Sequence, residues 1–69
     1  MDLFGNIQTF NPLTGTGFIR PAQGGAMIPF NQIELKRPRD AEVREGSRVH
    51  YKTEEDDLGE LVAVQMHLA

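Results

Sequence analysis

Apolar and polar residues alternate along several short segments of this chain, which has 69 residues. Alternation at every second position is the period of a β-strand that buries one face. Glycines and prolines separate most of these segments, and the gaps between them leave little room for long helices. The pattern predicts five strands, which cover Leu3–Phe10, Thr16–Pro21, Ala26–Phe30, Arg48–Thr53 and Leu61–Leu68.

A long charged segment, Asn31–Gly46, separates the third predicted strand from the fourth. Asn31 can cap a single helical or 3₁₀ turn at its start, with Glu34 three residues further on as the second half of a capping box. Apolar side chains are expected to hold the segment against the core, and these are Ile33, Leu35 and Val43. Before the third strand, Gln23–Gly25 predicts a tight turn, because glycine tolerates positive φ.

Five short strands would leave unpaired edges in an open sheet, and closing the sheet into a small barrel removes most of them. A three-strand meander, a crossing segment and a final hairpin fit an all-β fold. We predict a five-stranded antiparallel OB-type barrel (oligonucleotide/oligosaccharide-binding) with a long loop between strands three and four. An SH3-like barrel of similar size is the alternative. The predicted core consists of Ile7, Ile19, Ile28, Ile33, Val49, Tyr51, Val62, Val64 and Met66.

The composition limits the class of protein further. The chain has no Cys and two His, which excludes disulfides and thiolate zinc sites and argues against a His-rich metal site. No apolar run reaches the roughly 18 residues of a membrane span. Met1–Gly5 lacks the basic and apolar regions of a signal peptide. We therefore expect a single domain over residues 1–69, without a cofactor or metal, in the cytoplasm.

The charge is uneven along the chain. A net charge of −3 with 7% aromatic residues argues against a nucleic-acid binder, because such proteins are usually basic. Most of the acidity, however, lies in Glu54–Asp57, which we interpret as a solvated turn, since it lacks the spacing of a calcium loop. Lys36, Arg37 and Arg39 form either a basic rim in the long loop or ordinary surface charge.

No catalytic constellation is visible in the sequence. His50 and His67 have no accompanying nucleophile motif and are expected to be solvated residues on strands. Gly15–Gly17 lacks the Gly-Lys-Ser/Thr of a phosphate-binding loop. We therefore do not expect an enzyme.

Five short motifs follow one another in an order that is typical of a known family. Gly5–Asn11 (GNIQTFN) resembles an opening strand G-x-V-K-W-F-N, Gly15–Ile19 (GTGFI) resembles K-G-F-G-F-I, and Ala26–Phe30 (AMIPF) resembles V-F-V-H-F. Glu42–Gly46 (EVREG) resembles a turn L-x-E-G, and Ala63–Met66 (AVQM) resembles a closing A-x-N-V. Over nearly its whole length, the chain resembles a divergent cold-shock domain.

This resemblance implies an OB barrel that binds single-stranded RNA or DNA through aromatic rings on strands two and three and through flanking lysines. Phe18 and Phe30 match stacking positions of the family, and Phe10 matches a less direct one. Gln8 and Thr14 replace the lysines. The remaining rings of the family's platform are replaced by Thr9, Thr16, Met27 and Pro29.

The resemblance therefore predicts weak binding of single-stranded nucleic acid by a cold-shock-like RNA chaperone with few platform rings. Alternation places Phe18 outward if Ile19 faces the core, whereas Phe30 is exposed only if Pro29 introduces a twist or bulge. Pro29 also predicts an edge or bulge position, because it cannot donate a hydrogen bond. The candidate binding residues are Thr9, Phe10, Thr16, Phe18, Arg20, Met27, Phe30, Lys36, Arg37 and Arg39.

A second hypothesis belongs to a different class. In this hypothesis the chain is a protein-interaction or self-associating OB barrel that has lost nucleic-acid binding. An apolar patch of Met27, Pro29 and Phe30 would then dock a protein partner or a second copy of the chain. Neither hypothesis involves a membrane.

Overall fold

A computed structural model describes residues 3–36 and 43–68 of the chain. A 3₁₀ turn spans Gln32–Glu34, and no helix in these two ranges is long and apolar enough to cross a membrane. The strands are β1 (Leu3–Asn11), β2 (Thr16–Pro21), β3 (Ile28–Asn31), β4 (Leu35–Lys36), β5 (Arg48–Glu55) and β6 (Leu61–Leu68).

The strands form a six-stranded sheet in the order β3-β2-β1-β5-β6-β4. All neighbouring pairs are antiparallel except β4 and β6, which are parallel. Because β3 also packs beside β6, the sheet curls into an OB-type barrel. The all-β OB prediction is confirmed, but the prediction of five antiparallel strands missed β4. A two-residue strand is too short to show an alternating pattern.

A bulge in β1 changes which of its side chains face the core. Ile7 pairs with Ile19, whereas Thr9 pairs with Phe18, so β1 has one extra residue between the two pairs. A bulge of this kind bends the strand and breaks the regular alternation. Before the bulge Ile7 is buried; after it Thr9 is exposed and Phe10 packs against the core.

Two aromatic rings stack across a glycine on the inner side of the sheet. Gly17 pairs with Phe10 of β1 on one side and with Phe30 of β3 on the other. The two rings are nearly parallel, with centroids 6.0 Å apart and planes 15° apart. A Cβ atom on Gly17 would collide with the Thr9 carbonyl oxygen and lie 2.9 Å from the Phe30 ring. Glycine is therefore the residue that allows this stack.

The core lies between the two halves of the curled sheet. It contains six of the predicted core residues and Leu35, which was expected to hold the long segment against the core. Phe30 and Ala63 are also part of it, although neither was among the predicted core residues. Leu3, Phe10, Val43 and Leu68 pack against it. The predicted residues that are buried are Ile7, Ile19, Ile28, Val49, Tyr51 and Met66.

Three predicted core residues are placed differently. Val62 and Val64 are only half-buried, because β6 has an extra residue opposite β5 and Gln65 has a positive φ of 49°. This shift puts Ala63 inside, so the strict alternation predicted for β6 is wrong. Ile33 lies in the predicted 3₁₀ turn but is 76% exposed, so the expectation that it holds this turn against the core is wrong.

The segment after β3 is held by polar contacts as well as apolar ones. The Asn31 side chain accepts a hydrogen bond from the Ile33 N–H at 3.1 Å, which confirms Asn31 as the cap of this turn. The Glu34 carboxylate accepts a hydrogen bond from the Gln65 N–H of β6 at 3.2 Å, so it ties this turn to the bulge. Leu35 and Val43 pack as predicted.

We predict that Gly17→Ala destabilises the barrel by about 1–3 kcal/mol, because the added methyl forces the two stacked rings or the Thr9 carbonyl to move. Urea unfolding followed by circular dichroism would measure the change. Gly25→Ala is the comparison. Its φ of 98° disfavours alanine through backbone conformation alone, because nothing lies within 4 Å of the new methyl. A Gly17→Ala protein as stable as the parent would show that the stack does not depend on this glycine.

A second prediction concerns Tyr51, whose side chain is fully buried and whose hydroxyl has no hydrogen-bond partner among the described residues. An unpaired buried hydroxyl is unfavourable, so Tyr51→Phe should raise the free energy of unfolding by about 1 kcal/mol at neutral pH. Urea unfolding of the two proteins would measure this difference. A clear loss of stability would indicate that the hydroxyl has a partner.

The same hydroxyl predicts a pH dependence. Burial raises the pKa of the Tyr51 phenol above its ordinary value of 10.0. The unfolded chain therefore ionises first as the pH rises, so ionisation of this phenol does not affect the free energy of unfolding below about pH 10 and lowers it above that pH. Tyr51→Phe should remove that component from a pH series of urea midpoints.

Candidate nucleic-acid interface

The outer face of β2 carries one exposed aromatic ring. Phe18 pairs with Thr9 on one side and with Pro29 on the other, and these three residues form the Phe18 row. Phe18 is 45% exposed, Thr9 is exposed and Pro29 is half-buried. Side chains paired in this way lie about 5 Å apart, so a flat group lying on Phe18 would also contact its two neighbours. The outward position predicted for Phe18 is confirmed.

A polar row borders the Phe18 row at the end of the strands where the β1–β2 turn lies. Thr16 pairs with Asn11 and Asn31, and all three are exposed. The Thr16 hydroxyl shares a hydrogen bond of 2.8 Å with the Thr14 hydroxyl. The Asn11 side chain accepts from the Leu13 N–H at 2.9 Å. These groups are held by local turns, so the row offers a preformed polar border and no ring.

Two guanidinium groups flank the other side of the Phe18 row. Asn6 of β1 pairs with Arg20 of β2 and with Arg48 of β5, and all three residues are exposed. We call these residues the arginine row. The sequence pattern indicated Arg20 but not Arg48, because Arg48 lies far along the chain and only strand pairing brings it to this face. The row places positive charge next to the exposed ring.

Two rings predicted for this face are turned inward. Phe30 is 4% exposed, and Phe10 is half-buried against it. The β2–β3 register runs regularly through Pro29, so no bulge turns Phe30 outward. The expectation that Phe30 is an exposed stacking ring is therefore wrong, and its ring stabilises the core instead.

Pro29 lies on a sheet edge, as its chemistry predicted. β3 is the first strand in the sheet order. The Gln32 N–H donates a hydrogen bond to the Gly15 carbonyl at 2.8 Å, so Gln32 and Gly15 form a hydrogen-bonded pair. Along two antiparallel strands, hydrogen-bonded pairs alternate with non-hydrogen-bonded pairs. Counting back along β3 places Pro29 at a non-bonded pair, where a backbone N–H would point away from β2. The missing N–H therefore costs the β2–β3 ladder nothing.

The remaining candidates lie at the margins of the face or away from it. Met27, just before β3, is 52% exposed and lines an open cavity of about 430 Å³ together with Leu61. Lys36 is exposed on β4, at the opposite end of the sheet order from β3, and does not join the Phe18 row. Arg37 and Arg39 lie outside the described residues.

A second hollow lies where β3 approaches β6. Its volume is about 310 Å³, and its lining is mostly apolar. The lining includes Pro29, Phe30, Val62 and Val64. β3 and β6 are not neighbours in the hydrogen-bonded order of the described strands, so this hollow marks the seam of the barrel.

The acidic groups lie mostly away from the arginine row. In the β5–β6 turn, the Asp56 carboxylate accepts hydrogen bonds of 2.9 Å from the Leu58 and Glu60 N–H groups, which confirms a turn at Asp56 and Asp57. Glu54 and Glu55, which were predicted to lie in this turn, are instead exposed residues of β5. This turn lies at the far end of β5 from Arg48, roughly 23 Å away along the strand. One carboxylate is closer, since Glu45 accepts from the Phe10 N–H at 3.2 Å.

The whole chain is similar to a solved cold-shock structure, drosophila Unr CSD456. The TM-score is 0.83 at 19% sequence identity, and the match covers 100% of this chain. This chain has a cold-shock-type OB fold. The OB interpretation therefore holds over the SH3-like alternative.

The same comparison limits what the cold-shock-type fold implies. The chain spans about a quarter of the Unr chain it matches, since 27% of that chain is covered. No protein-family model matches the sequence, and no curated protein matches it either. At 19% identity the likeness shows the fold, and the function has to be argued from the side chains of this cold-shock-type barrel.

Proposed function

We propose that this chain binds single-stranded RNA or DNA weakly through the Phe18 row and keeps the bound strand unpaired, as an RNA chaperone does. The observation that carries the proposal is the exposed Phe18 ring, placed by strand pairing between Thr9 and Pro29 on the outer face of an OB barrel. Aromatic rings on such a face stack with bases of any sequence, because every base has a flat π-surface.

The number of rings sets the expected affinity. Each base that stacks on an aromatic side chain contributes about 1–3 kcal/mol. Phe10 and Phe30 are packed together in the core, so the Phe18 row supplies a single ring. One stacked base and a few charge contacts correspond to a Kd on the order of 0.1–1 mM.

The arginine row supports the same proposal on electrostatic grounds. Arg20 and Arg48 flank Asn6 directly beside the Phe18 row, so phosphates next to a stacked base would meet positive charge. Each phosphate contact to a single strand changes the slope of log K against log salt by about −0.7. Binding through both arginines should therefore weaken noticeably between low and moderate salt. The mechanism is binding alone and includes no chemical step.

An NMR titration tests this function directly. We expect a pyrimidine oligonucleotide to shift the amide signals of Thr9, Thr16 and Phe18, and Phe18→Ala to weaken binding about fivefold or more, because the exposed ring is lost. Leu58→Ala is the matched control, since Leu58 is 85% exposed in the acidic turn. Amide signals that stay unchanged up to millimolar RNA and DNA would contradict the proposal.

Adding a ring to the Phe18 row should have the opposite effect. Thr9 pairs directly with Phe18 and is exposed, so Thr9→Trp creates two adjacent stacking surfaces. We expect about tenfold tighter binding, measured by quenching of the new indole fluorescence and by anisotropy of a labelled oligonucleotide. Leu13→Trp places the same ring at a 94% exposed turn position as a control. Equal affinity of the two variants would show that the row is not aligned with the bound strand.

Protein interaction is the second candidate function, and one observation favours it. Met27 and Leu61 are each about half exposed and border the same open cavity of about 430 Å³. Phe30, which the sequence had included in this patch, is buried and does not contribute. Sedimentation velocity over a concentration series would detect self-association, which Met27→Ser should then reduce.

A further inference from the structure

Three rings from three strands form a row on the outer surface of the barrel, separate from Phe18. Strand pairing places Phe4 of β1 opposite His50 of β5, and His50 opposite His67 of β6. The parallel pair extends the row to Lys36 of β4, which is the partner of His67. Phe4 is 44% exposed, and His67 and Lys36 are exposed too. We call Phe4, His50 and His67 the second ring row.

The rings of this row contact one another. The imidazoles of His50 and His67 are stacked, with centroids 4.9 Å apart and planes 11° apart. The Phe4 ring lies 5.9 Å from the His50 ring at a tilt of 51°. The Arg48 guanidinium lies 5.7 Å from the centroid of the Phe4 ring, within the range of a cation–π contact. The row is thus a continuous series of contacting rings, with the Arg48 guanidinium beside Phe4 and Lys36 beside His67.

The arginine row joins this array to the Phe18 row. Along β1, Asn6 lies between Phe4 and Thr9, and all three are exposed. Asn6 pairs with Arg20 and Arg48 on its two sides. Moving along β1, the outer surface therefore presents the second ring row, then the arginine row, then the Phe18 row.

We propose that the second ring row is an additional stacking surface for the single strand that the Phe18 row binds, with phosphates between the two ring rows held by Arg20 and Arg48. This inference rests on the proposed function and goes beyond it by adding a site on β5 and β6. Exposed flat rings next to cations match the two needs of a single strand, which are stacking of bases and neutralisation of phosphates.

The surrounding charge favours a nucleic acid as the occupant of this row. On β5, the outward residues on either side of His50 are Arg48 and Lys52, and both are exposed. Lys36 adds a further cation beside His67. A polyanion that lies along the row therefore meets positive charge at several points, whereas the acidic residues are concentrated at the other end of β5 and β6.

The test measures anisotropy of a fluorescein-labelled pyrimidine oligonucleotide of about 12 nucleotides, a length within the range of OB-fold sites. The double variant Phe4→Leu/His67→Gln removes two rings of the second ring row and leaves the Phe18 row intact. We expect about tenfold weaker binding than in the parent protein. Phe4→Tyr keeps the ring and should bind as the parent does.

Charge is tested separately with a matched pair. Arg48→Gln should weaken binding and reduce the salt slope by about 0.7, the contribution of one phosphate contact to a single strand. Arg44→Gln removes the same charge from an exposed position just before β5 and should leave the slope unchanged. Equal slopes for the two variants would overturn the assignment of a phosphate contact to Arg48.

Amide shifts separate failure of this inference from failure of the proposed function. In the parent protein we expect oligonucleotide to shift the amides of Phe4, His50 and His67 together with those of Thr9 and Phe18. Shifts confined to Thr9 and Phe18, with the double variant binding as the parent does, would overturn the second site while the proposed function stands. No shift at either row would overturn both. Because the parent protein is used, this readout holds even if a variant is poorly folded.

Discussion

The stacking of Phe10 on Phe30 across Gly17 is the contact on which the distribution of rings in this barrel depends. It needs both a bulge in β1, which turns Phe10 inward, and a glycine on β2, which lets the two rings approach. Rings that pack together in this way add buried apolar area to a chain too short to form a large core. Because Phe10 and Phe30 are packed at the core, their rings are not available on the outer face to stack with bases. In a chain with few aromatic residues, each ring that stabilises the core is one fewer on the binding surface.

For the binding of an anion to the outer face of the barrel, the position of each charge matters more than the net charge of −3. At physiological ionic strength, exposed charges more than about 8 Å apart are largely screened from each other. The turn that contains Asp56 and the row that contains Arg48 lie at opposite ends of β5. An acidic protein of this shape can therefore present a locally basic face, and its isoelectric point is a poor guide to the ligands of that face.

The sequence was sufficient for five of the six described strands and for much of the core. Alternation gave the bounds of β2 and β6 as the structure has them, and Asn31 marked the 3₁₀ turn. Alternation predicted the wrong faces after the bulges in β1 and β6. A bulge is an extra residue relative to the partner strand, so the sequence of one strand alone does not reveal it. Val64 and Phe10 were affected in this way, one moving outward and the other inward.

The site was harder to predict for a related reason. Phe18 follows from local alternation, and the structure places it as expected. Phe4, His50 and His67 occupy distant parts of the sequence, and only long-range strand pairing makes them neighbours. A motif scan evaluates residues that are close in sequence, so it cannot detect a row that crosses three strands.

Pro29 has a consequence for how two such barrels can meet. β3 is an edge strand, and exposed strand edges invite pairing with the edge of another molecule through backbone hydrogen bonds. At Pro29 the N–H that would point out from this edge is missing, so a strand added here would lack a hydrogen bond at its centre. The edge is also only four residues long. Strand pairing between copies of this chain along β3 would therefore lack one backbone hydrogen bond, which disfavours an extended intermolecular sheet at this edge.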